Sequence, residues 1–319
     1  MGACLSCGSH REVAPAPEAP HRAGHSVFGK ETEDVHAVYE FGKFLGRGRF
    51  GSTRVVTNTA IGEQLACKSI AKHKLLKEQE LLQEIQIMQH LAGHPNVVQL
   101  RSVHEDAASV HLVMELCRGG ELADVILQRK QQFAESEAAA IMRTIAEAVA
   151  HCHASSVVHR DIKPENFLLL NSSEPAALQL ADFGLSAFVS EGQRLSDVVG
   201  SDYYMAPEVH ARSYGREADM WSCGVILYLL LSGSLPFIGA TQQEVKEAVR
   251  EGDYELERGV WKDVSEHAKD CVRRMLHVDP AQRATAQEVL SHPWLQGMAR
   301  QQSADCWVTH TGQQAALAG

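Results

Sequence analysis

The chain predicts an α+β fold in two lobes, a small one of mainly antiparallel strands with one helix and a large, mainly helical one. Three observations carry this. From Tyr39 to Met114 short apolar segments alternate with turn residues, as strands do, interrupted by one stripe of Leu81, Ile85 and Met88 at helical spacing. From Ala138 the apolar residues Ile141, Met142, Ile145, Ala148, Val149 and Cys152 follow at helical spacing. Between the two patterns, Glu115-Leu116-Cys117-Arg118-Gly119-Gly120 reads as a short connector. The small lobe is therefore expected at about 39–116 and the large lobe at about 117–295, giving one domain over 39–295.

Residues 1–38, rich in Pro, Ala, Gly, His and Ser, carry almost no apolar periodicity and are expected to be disordered, as is the tail 296–319. Met1-Gly2-Ala3-Cys4-Leu5-Ser6 fits the rule for N-myristoylation of Gly2. One acyl chain holds a membrane weakly, and Cys4 and Cys7 are candidates for the second signal by palmitoylation. The competing readings of this segment are an inert tail and a metal site of Cys4, Cys7 and His10, which lacks a supporting fold.

The small-lobe strands begin with Tyr39-Glu40-Phe41-Gly42-Lys43-Phe44-Leu45 and run into Gly46-Arg47-Gly48-Arg49-Phe50-Gly51, where glycines let the backbone approach phosphates closely. Ser52 to Thr57 is strand-like rather than helical, so this is a hairpin and not a dinucleotide fold. The next strand ends at Lys68, and the helix expected over about 77–91 carries Glu84 where it can pair with Lys68. In the large lobe, Thr241-x-x-Glu244 and Thr285-x-x-Glu288 are capping boxes that start helices. Composition bounds the rest. A net charge of −10 argues against nucleic-acid binding. Cys67, Cys117, Cys152, Cys223, Cys271 and Cys306 lie scattered, as reduced thiols do in a cytosolic chain. The longest apolar run, Val225 to Leu231, is too short to span a bilayer.

Chemistry concentrates in His159-Arg160-Asp161-Ile162-Lys163-Pro164-Glu165-Asn166 and in Asp182-Phe183-Gly184. Phosphoryl transfer to a hydroxyl can use Asp161 to accept the proton, Lys163 to steady the phosphate and Asn166 to hold a metal. Asp182 on a second loop adds an oxygen ligand, a set that suits magnesium.

The glycine loop, Lys68, Glu84, these two motifs and Ala206-Pro207-Glu208 stand in the order of the protein-kinase signatures. Over about Tyr39 to Leu295 the chain resembles a eukaryotic Ser/Thr protein kinase, with Lys163 and Gly200-Ser201 on the Ser/Thr rather than the Tyr side. Ala66-Cys67-Lys68-Ser69-Ile70, Leu112-Val113-Met114-Glu115-Leu116-Cys117 and Ile162-Lys163-Pro164-Glu165-Asn166-Phe167 resemble most closely the kinase domain of plant, algal and protist calcium-dependent protein kinases. In Gly297 to Gly319 that family's basic junction and EF-hand loops are not found, so no calcium site is expected in these residues.

The resemblance implies ATP and Mg2+ as nucleotide and metal. Gly46, Gly48 and Gly51 would cover the phosphates, Leu45 and Thr53 sandwich the adenine, and Lys68, held by Glu84, bind the α- and β-phosphates. Met114 would be the gatekeeper, with Glu115, Cys117 and Glu121 completing the nucleotide set. Asp161 would be the base, Lys163 the γ-phosphate contact, and Asn166 and Asp182 the metal ligands. Glu208 would pair with Arg283, and Asp219 would brace the catalytic loop. Glu121 and Glu165, with Ser201, would meet the peptide and select basic residues upstream of the target Ser/Thr. Asp197 stands where an activating phosphosite is expected, as a permanent anion for Arg160. The expected function is a monomeric, cytoplasmic protein kinase, peripheral at a membrane by acylation. The alternatives are a pseudokinase or scaffold, against which Lys68, Asp161 and Asp182 are all present, and a small-molecule kinase.

Overall fold

The computed structural model describes residues 26–29, 32–48, 51–75, 78–129, 132–171 and 177–298. After a single helical turn, α1 (Val35–Val38), the small lobe is one antiparallel sheet of β1 (Tyr39–Arg47), β2 (Gly51–Asn58), β3 (Gln64–Ala71), β4 (Leu100–Glu105) and β5 (Ser109–Met114), in the order β1-β2-β3-β5-β4. The helix expected between strands is α2 (Glu78–His90), and it turns Leu81, Glu84, Ile85, Ile87 and Met88 inward.

The large lobe follows with α3 (Leu122–Gln128), α4 (Glu135–Ala154), β6 (Val157–Val158), β7 (Phe167–Leu169), β8 (Leu178–Leu180), β9 (Ala187–Phe188), α5 (Pro207–His210), α6 (Glu217–Ser232), α7 (Gln242–Glu251), α8 (Glu266–Met275) and α9 (Ala286–Leu290). α6 holds the longest apolar run of the sequence, and nearly all its residues from Ala218 to Leu231 are buried. A helix apolar all round needs protein on every side, and α6 is the axis of the large lobe. Glycine in the left-handed region ends it, Gly233 at φ 75°. One core cluster joins Ile70, Ile85, Met88 and Leu112 of the small lobe to Ile145, Leu180, Phe183 and Trp221 of the large.

The described cysteines Cys67, Cys117, Cys152, Cys223 and Cys271 are free thiols. Among the described residues no helix is long and apolar enough to cross a membrane. Thr285 and Glu288 form the expected reciprocal box. At α7 only half of it forms: Thr241 caps the Glu244 N–H, but the Glu244 carboxylate reaches back to the N–H of Ala240 instead.

The expectation of disorder over 1–38 is corrected for residues 26–29 and 32–38. The Glu105 carboxylate accepts the backbone N–H groups of Val27 and Phe28, and the Thr32 hydroxyl bonds the backbone of Glu105. Val35 and Tyr39 are buried with Val56, Leu65, Cys67 and Val113 in a second small cluster. The tethering partners lie in β4, remote in sequence, so no local periodicity announces them.

Candidate active site

On the upper wall of the cleft, Gly46 pairs with Thr53 and Arg47 with Ser52 across the β1–β2 hairpin, closed by Gly48 N–H to Gly51 C=O at 3.0 Å. A side chain on Gly46 or Gly48 would meet open space, whereas one on Gly51 would overlap the Ser69 carbonyl of β3. Gly51 thus lets the hairpin lie on its neighbour, while the outer glycines leave backbone uncovered where phosphates can approach. Leu45 is exposed on β1, and Thr53 faces Lys68 in the β2–β3 register.

Lys68 Nζ lies 2.7 Å from Glu84 Oε1 and 3.0 Å from Asp182 Oδ1. Burial works against the ammonium, but the two carboxylates outweigh it and hold its pKa above the ordinary lysine value. Asp182 is likewise disfavoured by burial, yet Lys68 keeps its carboxyl below the usual range, so it is ionised at neutral pH. A small-lobe helix, a small-lobe strand and a large-lobe loop meet at one charged contact.

The connector is held by Gln179 of β8, whose amide donates to Glu115 Oε2 at 3.0 Å and accepts from the Cys117 thiol at 3.1 Å. Burial and the Glu115 charge push the Cys117 pKa up to about 12, so the thiol keeps the proton it donates. Met114 ends β5 between Ala66 and Leu100, where a gatekeeper was expected.

Asp161 lies on the loop between β6 and β7. Its carboxylate accepts Ser201 Oγ–H at 2.9 Å and pairs with Lys163 Nζ at 2.8 Å, while Lys163 also reaches Ser201 Oγ at 3.0 Å. Asn166 donates its amide to the Asp161 carbonyl at 2.7 Å. The loop conformation is costly: Arg160 sits at φ 70° and Asp182 at φ 59°, a region worth roughly 1–2 kcal/mol against non-glycine residues. Asp219 of α6, buried, compensates by accepting the N–H groups of both His159 and Arg160 at 2.9 Å. The Arg160 guanidinium bonds the Leu185 carbonyl and meets Asp197 Oδ2 at 3.4 Å, so the expected Arg160–Asp197 pair forms.

The β7–β8 ladder pairs Phe167 with Leu180, and the Ala181 N–H donates to the Asn166 carbonyl at 2.9 Å. This brings Asn166 and Asp182 to the same end of the hairpin. Among the described residues no three His, Cys, Asp or Glu side chains converge as a metal cage. A pair of oxygen donors fits magnesium, which takes few protein ligands when phosphate and water complete its shell. Glu121 and Glu165 are both exposed; partial burial first, then the Asp124 and Glu165 charges, raise the Glu121 pKa, against the opposing pull of Lys163. Gly2, Cys4 and Cys7 lie outside the described residues.

Three supporting residues escaped the sequence reading. His153 Nε2 bonds Asp219 Oδ2 at 2.9 Å, Tyr214 OH donates to the Asp197 carbonyl at 2.8 Å, and Gln179 holds the connector. The only signal was a polar residue inside an apolar run, as Gln179 is between Leu178 and Leu180.

A glycine hairpin over a lysine–glutamate pair, facing the Asp161 loop and the Asp182 loop, is the arrangement of a protein kinase. The profile of the protein kinase domain matches residues 39–295, and the chain belongs to that family. It is 49% identical over 294 residues to Calcium-dependent protein kinase 2 of Oryza sativa subsp. japonica, covering 91% of this chain and 57% of that relative. It is 48% identical over 289 residues to Calcium-dependent protein kinase 17 of Arabidopsis thaliana, covering 90% and 54%. The family match and these identities bear out the resemblance for the kinase domain, and the chain spans about half the length of the curated relatives it matches.

Proposed function

We propose that this chain is an ATP- and magnesium-dependent Ser/Thr protein kinase that acts on serine or threonine in a basic context. The observation that carries the reading is the carboxylate of Asp161, held by Ser201, Lys163 and Asn166 in one chain with a formed Lys68–Glu84 pair. A kinase needs both at once.

Lys68 presents its ammonium to the α- and β-phosphates, and Glu84 keeps it from swinging away. Asp161 accepts the proton of the incoming hydroxyl, its orientation fixed by Ser201. Lys163, on the same carboxylate, is placed to follow the γ-phosphate as charge shifts. Asn166 and Asp182 would hold magnesium, which would supply stabilisation of the charge developing on the phosphate oxygens. Pseudokinases usually lack the lysine or one of the two aspartates, and here Lys68, Asp161 and Asp182 are all present, which favours the active kinase.

Glu121 and Glu165 are the basis for basic selectivity. A Ser/Thr peptide library is expected to show Arg or Lys enriched upstream of the acceptor. The double variant Glu121→Gln, Glu165→Gln should lose roughly tenfold in kcat/KM for such peptides, about 1.4 kcal/mol, with ATP KM unchanged. Indifference of the wild type to upstream Arg would remove this part, and absence of any Ser/Thr transfer would remove the whole.

The N-terminal signal supports a membrane tether through myristate on Gly2 and palmitate on Cys4 or Cys7. Gly2→Ala is expected to move the protein from membrane to soluble fractions, and an unchanged distribution would exclude this tether.

A further inference from the structure

Residues 26–29 and 32–34 form a strap on the small lobe outside the matched kinase domain, and they converge on one carboxylate. Glu105, at the end of β4, has a side chain only 5% exposed. It accepts Ser26 Oγ–H at 3.0 Å, Val27 N–H at 2.6 Å and Phe28 N–H at 3.3 Å, and it pairs with Lys72 Nζ at 2.7 Å. Burial would raise its pKa, but these donors, Lys72 first, keep it below the usual range and therefore charged. Farther along, Thr32 bridges the Glu105 backbone and the Glu33 carbonyl meets His104 Nδ1 at 2.8 Å. Val27 and Phe28 pack against the core cluster that includes Ile85 and Met88 of α2, the helix that carries Glu84.

In this latch the Glu105 carboxylate is met by the Ser26 hydroxyl, the Val27 and Phe28 N–H groups and the Lys72 ammonium. We propose that Ser26 is a phosphoacceptor of the chain's own kinase activity and that phosphate on it opens the Glu105 latch and releases the strap. In the transfer the Ser26 oxygen forms the new bond to the γ-phosphorus of ATP, and the bond from that phosphorus to the β,γ-bridging oxygen breaks. ADP leaves with the electron pair, and the hydroxyl proton is lost to the base.

The product replaces a donor with a group of about −1.5 to −2 charge beside a buried carboxylate. The added charge repels the Glu105 carboxylate, which also loses the hydroxyl that faced it. The sequence before the serine suits the acceptor role, with Arg22 and His25 upstream. This inference rests on the kinase reading and on its basic selectivity.

The test incubates the full chain with ATP and magnesium together with a basic serine peptide. Mass spectrometry of the fragment that contains Ser26 and amide hydrogen exchange at Val27 and Phe28 are both read. The expected result is phosphate on the peptide and on Ser26, with protection of the two amides falling about tenfold relative to Ser26→Ala treated alike. A phosphorylated peptide with Ser26 unmodified overturns the inference and leaves the kinase reading standing. Phosphate on Ser26 with unchanged protection overturns the latch. No transfer to the peptide overturns the kinase reading and this inference with it.

Discussion

Arg160 couples the loop that carries Asp161 to the segment that follows Asp182-Phe183-Gly184. Its guanidinium meets the Asp197 carboxylate, which is 73% exposed, while Tyr214 fixes the Asp197 backbone. An exposed pair of this kind contributes about 0.2–1 kcal/mol. Asp197→Ala is therefore expected to lower kcat/KM by no more than about fivefold, without loss of fold, and Asp197→Glu should restore most of it. Unchanged activity in Asp197→Ala would show that the anion is dispensable. The Arg160–Asp197 pair was legible in the sequence because each position belongs to a motif of fixed role. His153, which bonds Asp219, and Tyr214, which bonds the Asp197 backbone, were not, since their partners lie 66 and 17 residues away and outside any motif that names them.

At the level of elements, the large lobe is pinned by one buried pair. Arg283, before α9, makes two bonds to Glu208 at the start of α5, reaches the Glu217 carbonyl at 2.8 Å, and lies over the Trp221 ring. Removing one partner strands a buried charge, so Glu208→Ala is expected to cost about 3–5 kcal/mol, read by denaturant unfolding. A loss below about 1 kcal/mol would mean that Arg283 finds another acceptor. By contrast Thr285→Ala removes only the cap of α9 and is expected to cost about 1 kcal/mol. Helices announced themselves by apolar spacing and caps, and α2, α4 and α7 lie where the periodicity placed them. The strap did not, because its order comes from Glu105, and a polar segment without periodicity is silent about a distant acceptor.

Across the whole molecule, histidines with lowered pKa values, His159 buried and His94 and His210 half-buried, weaken the fold toward acid pH. Burial lowers the pKa of His159 from 6.5, against the opposing pull of Asp219, and burial with neighbouring positive charge lowers those of His94 and His210. The unfolded chain then binds protons that the folded one refuses. Stability is thus full above about 6.5 and declines as pH falls below it. The melting temperature is expected to drop between about pH 7.5 and about pH 5.5, before carboxylates such as Asp219 and Asp182, with depressed pKa values, begin to protonate. A melting temperature that rises as pH falls over that interval would contradict the assignment of these rings as neutral in the folded chain.

The two lobes share one core, and Lys68, Glu84 and Asp182 join across the cleft, so the groups proposed for catalysis stand together from both lobes. The account is tested most directly by transfer of the ATP γ-phosphate to a basic serine peptide, wild type beside Asp161→Asn, with ATP binding measured in parallel. The account predicts transfer by the wild type, a loss of at least about a hundredfold in Asp161→Asn, and equal nucleotide affinity in the two. Equal transfer by both proteins, or ATP binding by the wild type without transfer, would contradict it.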